Sequence, residues 1–253
     1  EGQAALSEMG ELIPDPDDAI SQAEPDEPPA HSPAVSILID GQWQEFPSAS
    51  AAEKASYADF KAASHREAQN FRITDDDLGA GGAKAKFQAN LNVIQLLKHL
   101  EAEGLQASPE QQQVLSRYVG WGGLPDAFDA SKPSWASEYQ ALKAAFTPEE
   151  YTTARASTLN AHYTSPTVIR AIYEAVGNMG FQTGNILEPS MGIGNFFGML
   201  PKNMRGSRLY GVELDSITGR IAKQLYPNAN ITIAGFETTD RRDFFDLAVG
   251  NVP

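Results

Sequence analysis

Residues 186–200 read ILEPSMGIGNFFGML, and this stretch decides the fold. Its first apolar residues stop at Glu188, and Gly192 and Gly194 then stand one residue apart before apolar residues resume. An apolar run, a glycine turn and a second apolar run are typical of a buried strand followed by a helix. The stretch therefore predicts a strand-turn-helix unit with a binding turn in the middle.

The segments downstream of residue 160 alternate in the same way. A helix is predicted from Ser165-Pro166 to Gly177, before the glycine turn. The predicted strands are NILEP, RLYGVEL, ANITIAGF and DLAVGNV, and the helices between them are NFFGML and SITGRIAKQLY. Short apolar strands that alternate with helices indicate a parallel sheet with crossover helices. Residues 160–253 are therefore predicted to form the first half of a Rossmann-like α/β domain.

Residues 35–159 are predicted to form a mainly α-helical domain. SILIDGQWQEF, at 36–46, alternates about Asp40-Gly41 and predicts a hairpin, and 49–68 indicates a weak helix. Apolar residues recur at helical spacing in KFQANLNVIQLLKHLEAEG. Ser108 and Thr147 each precede a proline and a Glu or Gln at the third helical position, which predicts two capped helices. The first of these is expected to run to about Val119.

The first 34 residues have a different composition. They contain nine acidic residues, six prolines and no Lys or Arg. Such a segment cannot bury enough apolar surface to offset the entropy lost on ordering, so residues 1–34 are predicted to be a disordered acidic linker in a fragment of a longer protein.

Composition excludes several functions. The net charge is −14, but residues 161–253 carry eight basic and eight acidic residues, and no broad basic stripe marks a nucleic-acid surface. The chain has no cysteine, and its four histidines are not spaced as metal ligands usually are. No apolar run is long enough to cross a membrane. We expect a cytoplasmic protein without a metal site.

The glycine turn does not match a dinucleotide site. That fingerprint is G-x-G-x-x-G, and here the third glycine, Gly198, comes one residue late. Glu213, at the end of the next predicted strand, does match the acid of that fingerprint. A carboxylate there can accept hydrogen bonds from both ribose hydroxyls of any adenosine cofactor.

Glu188 distinguishes between the possible cofactors. A carboxylate before the glycines would repel a pyrophosphate, whereas S-adenosylmethionine has no phosphate and carries a sulfonium and an ammonium group. Gly192 and Gly194 would let the backbone approach that cation without a Cβ in the way. The alternative is an ordinary strand-to-helix turn that binds nothing.

Five motifs carry a family resemblance. LEPSMGIGNFFG resembles motif I of the adenine-N6 DNA methyltransferases, and HYTSP, YGVELD, AGFE and GNVP resemble their N-terminal, second, third and catalytic motifs, in the same order. FRITDDDLGAGGAKAKFQAN, RYVGWGGL and TLNAHYTSPTVIRAIYEAV further resemble the large methylase–helicase proteins of bacterial conjugative elements. The resemblance covers residues 70–253.

The resemblance implies a sheet order of 3-2-1-4, a bacterial protein, and S-adenosylmethionine as cofactor. It implies DNA as the partner, contacted mostly outside this fragment, and a helicase module in the full-length chain. Asn251 and Pro253 would be catalytic. The cofactor would be held by residues of the other four motifs: Tyr163, Thr164, Pro166, Glu188, Pro189, Gly192, Gly194, Asn195, Phe196, Glu213, Phe236 and Glu237.

One departure from the family pattern leaves alternatives open. Val252 stands where the catalytic motif has proline, and the stacking aromatic would be residue 254. We therefore expect the isolated fragment to bind cofactor weakly without methylating DNA, and its last strand to have an open edge. The alternatives are a catalytically inactive DNA-protection or docking module and a methylase of a protein amide.

Two further features have structural explanations. Trp121 lies among glycines and is either a packing anchor or a lid over a cofactor. Asp75, Asp76 and Asp77 lack the spacing of a calcium loop and are expected to cap a helix.

Overall fold

The computed structural model describes residues 35–39, 42–47, 51, 68–76, 79, 81–159 and 164–252. The predicted acidic linker at 1–34 and nearly all of the helix predicted at 49–68 lie outside the described residues. Contacts divide the chain into two compact units, residues 1–56 and residues 57–253. The helical residues from 81 onward and the sheet thus belong to one unit, and the domain boundary near residue 160 remains a prediction.

The first unit contains the predicted hairpin. Strands β1 (Val35–Ile39) and β2 (Gln42–Phe46) pair antiparallel, with Val35 opposite Phe46 and Ile39 opposite Gln42. This pairing confirms the hairpin, although Asp40 and Gly41 lie outside the described residues.

The helical part of the second unit, as far as the structure describes it, has four α-helices: α1 (Ala83–Ala102), α2 (Pro109–Leu115), α3 (Ala136–Ala145) and α4 (Pro148–Ala156). Short 3-10 turns at Pro125–Phe128 and Pro133–Trp135 join α2 to α3. Trp121 is 1% exposed and contacts the rings of Phe87, Tyr118, Phe128 and Phe146 edge-on. Trp121 is therefore a packing anchor of this core and not a lid.

Both predicted capping boxes are present. Ser108 and Thr147 accept hydrogen bonds from the backbone of the third helical residue, whose Gln111 or Glu150 side chain accepts from the capping residue in return. Helix α2 ends at Leu115, however, and the prediction that it reaches Val119 is wrong. The N–H of Val119 donates to the Asn90 side chain at 2.9 Å instead of continuing the helix.

The remaining elements form the predicted α/β part. They are α5 (Pro166–Asn178), β3 (Asn185–Glu188), α6 (Asn195–Gly198), β4 (Arg208–Glu213), α7 (Ser216–Leu225), β5 (Asn230–Ile233) and β6 (Leu247–Ala248). The strands are parallel in the order β5-β4-β3-β6. Counted from the first strand of this sheet, the order is the expected 3-2-1-4, which confirms a partial Rossmann-like sheet.

Three elements are clearly shorter than predicted, and one of them is β5, which has four residues where ANITIAGF predicted eight. Helix α6 has four residues because Pro201 follows closely and the residue before a proline avoids helical backbone angles. Strand β6 has two residues, although the N–H of Val249 still donates to Leu187 O at 2.9 Å. Within the described part of the chain, β6 pairs only with β3, so its other edge is open as expected.

Residues 68–76 form an extended strap across the sheet part. The Phe71 N–H donates to Leu225 O at 2.7 Å, and the Ile73 N–H donates to Gly198 O at 3.1 Å. Asp75 and Asp76 fasten the end of this strap by pairing with Arg117 and Arg170. The expectation that Asp75 and Asp76 cap a helix is wrong, since α1 begins at Ala83 and its N-cap position is Gly82, with no side-chain cap. Asp77 lies outside the described residues.

An ion-pair network joins the helical part to α7. Arg220 contacts both carboxylate oxygens of Glu101 at 2.7 Å and Glu150 at 2.8 Å, and Lys98 contacts Glu150 at 2.7 Å. Burial alone would raise the pKa of Glu150, but hydrogen bonds from Arg220 and Lys98 outweigh it and lower the pKa to about 2. The network therefore stabilises the ionised form of Glu150.

We expect Arg220→Met to reduce the free energy of unfolding by about 2 kcal/mol at pH 7, because Glu150 keeps only Lys98 as a cationic partner. A carboxyl with a lowered folded pKa contributes stability above its unfolded pKa, and that contribution is lost as pH falls towards the folded value. The difference between wild type and variant should thus shrink between pH 5 and pH 2 in urea unfolding.

Lys132→Met is the matched control, because Lys132 pairs with Asp126 at 3.4 Å with both side chains about half exposed. It should change stability by about 0.5 kcal/mol or less. An Arg220→Met effect as small as that of the control would show that the network does not hold the two parts together.

Candidate functional site

The carboxyl ends of β3, β4 and β6 meet at one edge of the sheet, where a cavity of about 520 Å³ opens. Parallel α/β sheets bind ligands at this edge, and the volume lies in the usual range for a small-molecule site. Its lining includes the end of β3 at Glu188, the glycine turn, the end of β4 at Glu213, and Asn251 beyond β6.

The glycine turn forms the floor of this cavity. Gly192 and Gly194 have φ angles of +56° and +85°, which side chains with a Cβ rarely adopt. The turn is fixed by hydrogen bonds from Met191 N to Val212 O at 3.0 Å and from Gly194 N to Met191 O at 2.8 Å. A Cβ on Gly194 would lie 2.5 Å from the Tyr226 ring. This glycine therefore satisfies both a backbone and a packing requirement.

We expect Gly194→Ala to reduce the free energy of unfolding by about 3 kcal/mol or more, because a left-handed residue with a Cβ costs about 1–2 kcal/mol before the clash with Tyr226 is added. Gly180→Ala is the matched control: its φ is +91°, but a Cβ there meets nothing within 4 Å. Denaturant unfolding of both variants separates the two costs. Equal losses of stability in Gly194→Ala and Gly180→Ala would mean that the Tyr226 ring can move away from the added Cβ at no cost in free energy.

Glu188 is buried at the carboxyl end of β3, with 2% of its surface exposed. Its Oε2 atom has no hydrogen-bond partner in the described structure, and the residue lines the cavity. Burial, followed by the nearby charge of Glu213, raises the pKa of Glu188 well above its usual value. An unsatisfied buried carboxyl of this kind is costly unless a hydrogen-bond donor or a cation pairs with it.

Glu213 holds the other side of the turn. Its Oε2 accepts from the Gly192 N–H and its Oε1 from the Asp215 N–H, both at 2.8 Å. Burial raises the pKa of Glu213, and the two backbone hydrogen bonds partly oppose that shift. Two acidic side chains thus face one cavity, an arrangement that favours a cationic or hydroxyl-bearing ligand and disfavours a phosphate.

The helical part provides the opposite wall, which the sequence patterns did not predict. The lining residues from it are Tyr118, Gly120, Thr153, Ala156 and Ser157. Asn90, fully buried on α1, fixes this wall because its side chain donates to Gly120 O at 2.5 Å and accepts from Val119 N at 2.9 Å. Two of these wall residues, Tyr118 and Gly120, lie in the stretch RYVGWGGL, whose family resemblance could have indicated a role at the site.

Seven of the predicted site residues line the cavity: Thr164, Glu188, Gly192, Asn195, Phe196, Glu213 and Asn251. Gly194 shapes the turn. Pro189 follows β3 and Pro166 is the first residue of α5, and neither lines the cavity. Leu214 also lines the cavity and is 74% exposed. The sequence analysis did not predict this residue, although its position directly after Glu213, the acid that ends β4, was a usable signal.

Four predicted residues are placed differently or not described. Phe236 and Glu237 lie in an exposed 3-10 turn after β5 and do not line the cavity. Tyr163 and Pro253 lie outside the described residues. The structure therefore brings together motif I, the end of the second strand and Asn251, but not the third motif.

Among the described residues, no group of three or more His, Cys, Asp or Glu side chains could hold a metal ion. The helices described between residues 83 and 225 include none that is long and apolar enough to span a bilayer.

Comparison with known proteins gives two informative matches. The chain is 30% identical over 169 residues to the defense against restriction protein B of Escherichia phage P1, which covers 66% of this chain and 6% of that protein. It is 37% identical over 82 residues to the type II methyltransferase M.CvrRI of Paramecium bursaria Chlorella virus XZ-6E, which covers 32% of this chain and 21% of that enzyme.

The chain thus spans only a small part of either relative, and the second match relates it to a methyltransferase at a general level. No protein-family model matches the chain. No solved structure matches it either.

Proposed function

We propose that this chain binds S-adenosylmethionine and forms the cofactor-binding part of a DNA methyltransferase that modifies adenine N6. The observation that carries the proposal is Glu188, a buried carboxyl that lines the cavity with one oxygen unpartnered. A cationic ligand would supply the missing partner. The similarity to a type II methyltransferase supports the same class of reaction.

The residues of the cavity fit this cofactor. Glu188 would pair with a positive group of the methionine part, and Glu213 would accept hydrogen bonds from the ribose hydroxyls. Leu214 would contact the adenine ring. A dinucleotide is disfavoured, because its pyrophosphate would lie between two carboxylates. The helical wall at Tyr118 and Gly120 would limit the access of water.

S-adenosylmethionine supplies an electrophilic methyl group when bound. Glu188 and Glu213 would hold the cofactor, whose methyl group would pass from its sulfur to the target amine, and that amine would release a proton to solvent. Asn251 lines the same cavity as Glu188, and its side-chain oxygen would accept a hydrogen bond from that amine and orient the nitrogen lone pair. The protein contributes mainly by positioning the reactants.

The test is to express the longest protein that contains this chain in a host without adenine methylation and to analyse its DNA by mass spectrometry. We expect N6-methyladenine with the natural sequence and none with Asn251→Ala. Methylated cytosine instead of adenine would overturn the adenine specificity, and unmethylated DNA together with a methylated protein amide would favour the alternative of a protein-amide methylase.

A second candidate function is DNA protection without catalysis. It is favoured by the name of the phage P1 relative, which concerns defence against restriction, and by Val252 in place of the proline of the catalytic motif. The same expression experiment distinguishes the two. Protection of DNA from restriction that survives Asn251→Ala, with no methylated base, would support the non-catalytic role.

A further inference from the structure

A second and larger cavity, of about 830 Å³, lies on the helical part of the molecule. Its lining combines the aromatic rings of Phe128, Tyr139 and Tyr151 with the cationic side chains of Lys143 and Arg155. We refer to these five residues as the aromatic–basic groove. None of them belongs to the motifs that predicted the cofactor site.

The rings of the groove form a continuous surface. Tyr151 lies 5.4 Å from Phe128 and 6.4 Å from Tyr139, measured between ring centroids. Tyr151 is itself buried and its hydroxyl donates to Phe128 O at 3.4 Å, whereas Tyr139 is only half-buried. Tyr139 is therefore the ring that is available to a planar ligand, and Tyr151 supports it.

The two cations of the groove are among the ten Lys and Arg residues of the described part of the chain that form no ion pair with a described carboxylate. Lys84, Lys98, Lys132, Arg117, Arg170 and Arg220 pair with carboxylates. No ion pair within 4 Å is found for Lys143 or Arg155 among the described residues. Lys143 Nζ instead lies 3.6 Å from the centroid of the Tyr151 ring.

One acid, Asp129, also lines the groove, and its carboxylate accepts hydrogen bonds from the Ser131 backbone and hydroxyl. The Asp129 carboxylate stays charged and interacts electrostatically with Arg155, but it forms no ion pair within 4 Å with Arg155 or Lys143, so both cations can still contact an anion. Both side chains belong to exposed residues.

Helix α4 separates the groove from the candidate cofactor cavity. Tyr151 and Arg155 line the groove, Thr153 and Ser157 line the cofactor cavity, and Ala156 lines both. The groove and the cofactor cavity therefore adjoin at Ala156, so a chain-like ligand in the groove would pass next to the cavity that Glu188 and Asn251 line. This position suits the strand that carries a base into the cofactor cavity.

We propose that the aromatic–basic groove binds nucleotides that flank the target base on a single strand of nucleic acid. A base stacks on Tyr139, and Lys143 and Arg155 contact the neighbouring phosphates. Rings beside unpaired cations are the usual elements of such sites. The inference relies on the proposed function for its role, but the binding itself needs no cofactor, so the two can fail separately.

The first test measures fluorescence anisotropy of a labelled, mixed-sequence DNA strand of about 12 nucleotides with the 253-residue chain, at about 50 to 200 mM salt and without cofactor. We expect K143Q/R155Q to weaken binding about tenfold at the lowest salt. Each lost phosphate contact should reduce the slope of log affinity against log salt by about 0.7 in magnitude, so the pair should reduce it by about 1.4.

K202Q/R208Q is the matched control, since it removes the same two charge types from exposed positions near the amino ends of the strands. It should change affinity less than about twofold, as expected for rim charges far from the contact. Equal losses from both double variants would overturn the proposal, because the effect would then depend on net charge alone.

The second test separates a base-stacking site from a general anion site. Quenching of a 2-aminopurine base in the strand should be lost with Tyr139→Leu and retained with Tyr139→Phe, which keeps the ring. A poly-glutamate peptide should not compete with the DNA strand at equal charge. Unchanged quenching with Tyr139→Leu, or equal competition by the peptide, would contradict the assignment to nucleic acid.

Discussion

Replacing Glu188 by glutamine is expected to weaken S-adenosylmethionine binding on the order of 100-fold, while it stabilises the protein in the absence of cofactor. Removal of one partner from a buried charge pair costs about 3 kcal/mol or more, which corresponds to that factor. Without cofactor, the Oε2 atom of Glu188 has no partner, so a neutral amide of the same shape avoids the cost of a buried charge. Isothermal titration calorimetry and thermal unfolding measure the two effects.

The pH dependence of the cofactor-free protein provides a further readout of the same carboxyl. The folded pKa of Glu188 is raised, so the folded state binds its proton more tightly than the unfolded chain does. Its contribution to stability is therefore fully present below the unfolded pKa of about 4.5 and is lost as pH rises towards the folded value. Glu188→Gln should flatten this decline above pH 4.5, and cofactor affinity of the wild type should rise with pH over the same window.

Glu174→Gln is the control for these measurements, because Glu174 is exposed on α5 and does not line the cavity. It should leave affinity and its pH dependence unchanged. Wild-type affinity in a folded Glu188→Gln variant would remove this carboxyl from the site and with it the main support for a cationic cofactor.

Glu213→Ala is expected to weaken cofactor binding at least about tenfold, because a hydrogen bond to a charged group contributes about 1.5–3 kcal/mol. The variant also loses the contacts of Glu213 to the backbone of Gly192 and Asp215, so its unfolding must be measured alongside. Glu213→Gln keeps an acceptor on the side chain and should lose less affinity than the alanine variant.

Adenosine distinguishes the roles of the two acids. It contains the ribose but lacks the cationic methionine part. Glu213→Ala should therefore weaken binding of adenosine as well as of S-adenosylmethionine, whereas Glu188→Gln should affect only S-adenosylmethionine. If Glu213→Ala and Glu188→Gln weakened the binding of both ligands equally, each substitution would be disturbing the whole glycine turn and not removing one separate contact.

The sequence was sufficient for those features that depend on local patterns. The capping boxes at Ser108 and Thr147 are set by residues within four positions of each other. The strand order follows from alternating strands and helices together with the family resemblance. The positive φ angles of Gly192 and Gly194 agree with the reason for expecting glycine there.

Features that depend on distant residues were not predictable. Helix α2 ends at Leu115, and the Val119 N–H beyond it donates to Asn90, 29 residues earlier in the chain, a contact that no local pattern shows. The strap at 68–76 is visible only once Phe71 pairs with Leu225. For the same reason, no local pattern placed Tyr118 and Thr153 on the wall of a cavity whose floor lies near residue 192.

Calorimetric titration of S-adenosylmethionine into the 253-residue chain tests the central claim most directly. We expect saturable binding at one site per chain, strengthened as pH rises above about 4.5 and weakened on the order of 100-fold in Glu188→Gln, with no heat from NAD at the same concentration. Absence of any binding by the folded chain, or preferential binding of NAD, would contradict a cationic cofactor held between Glu188 and Glu213.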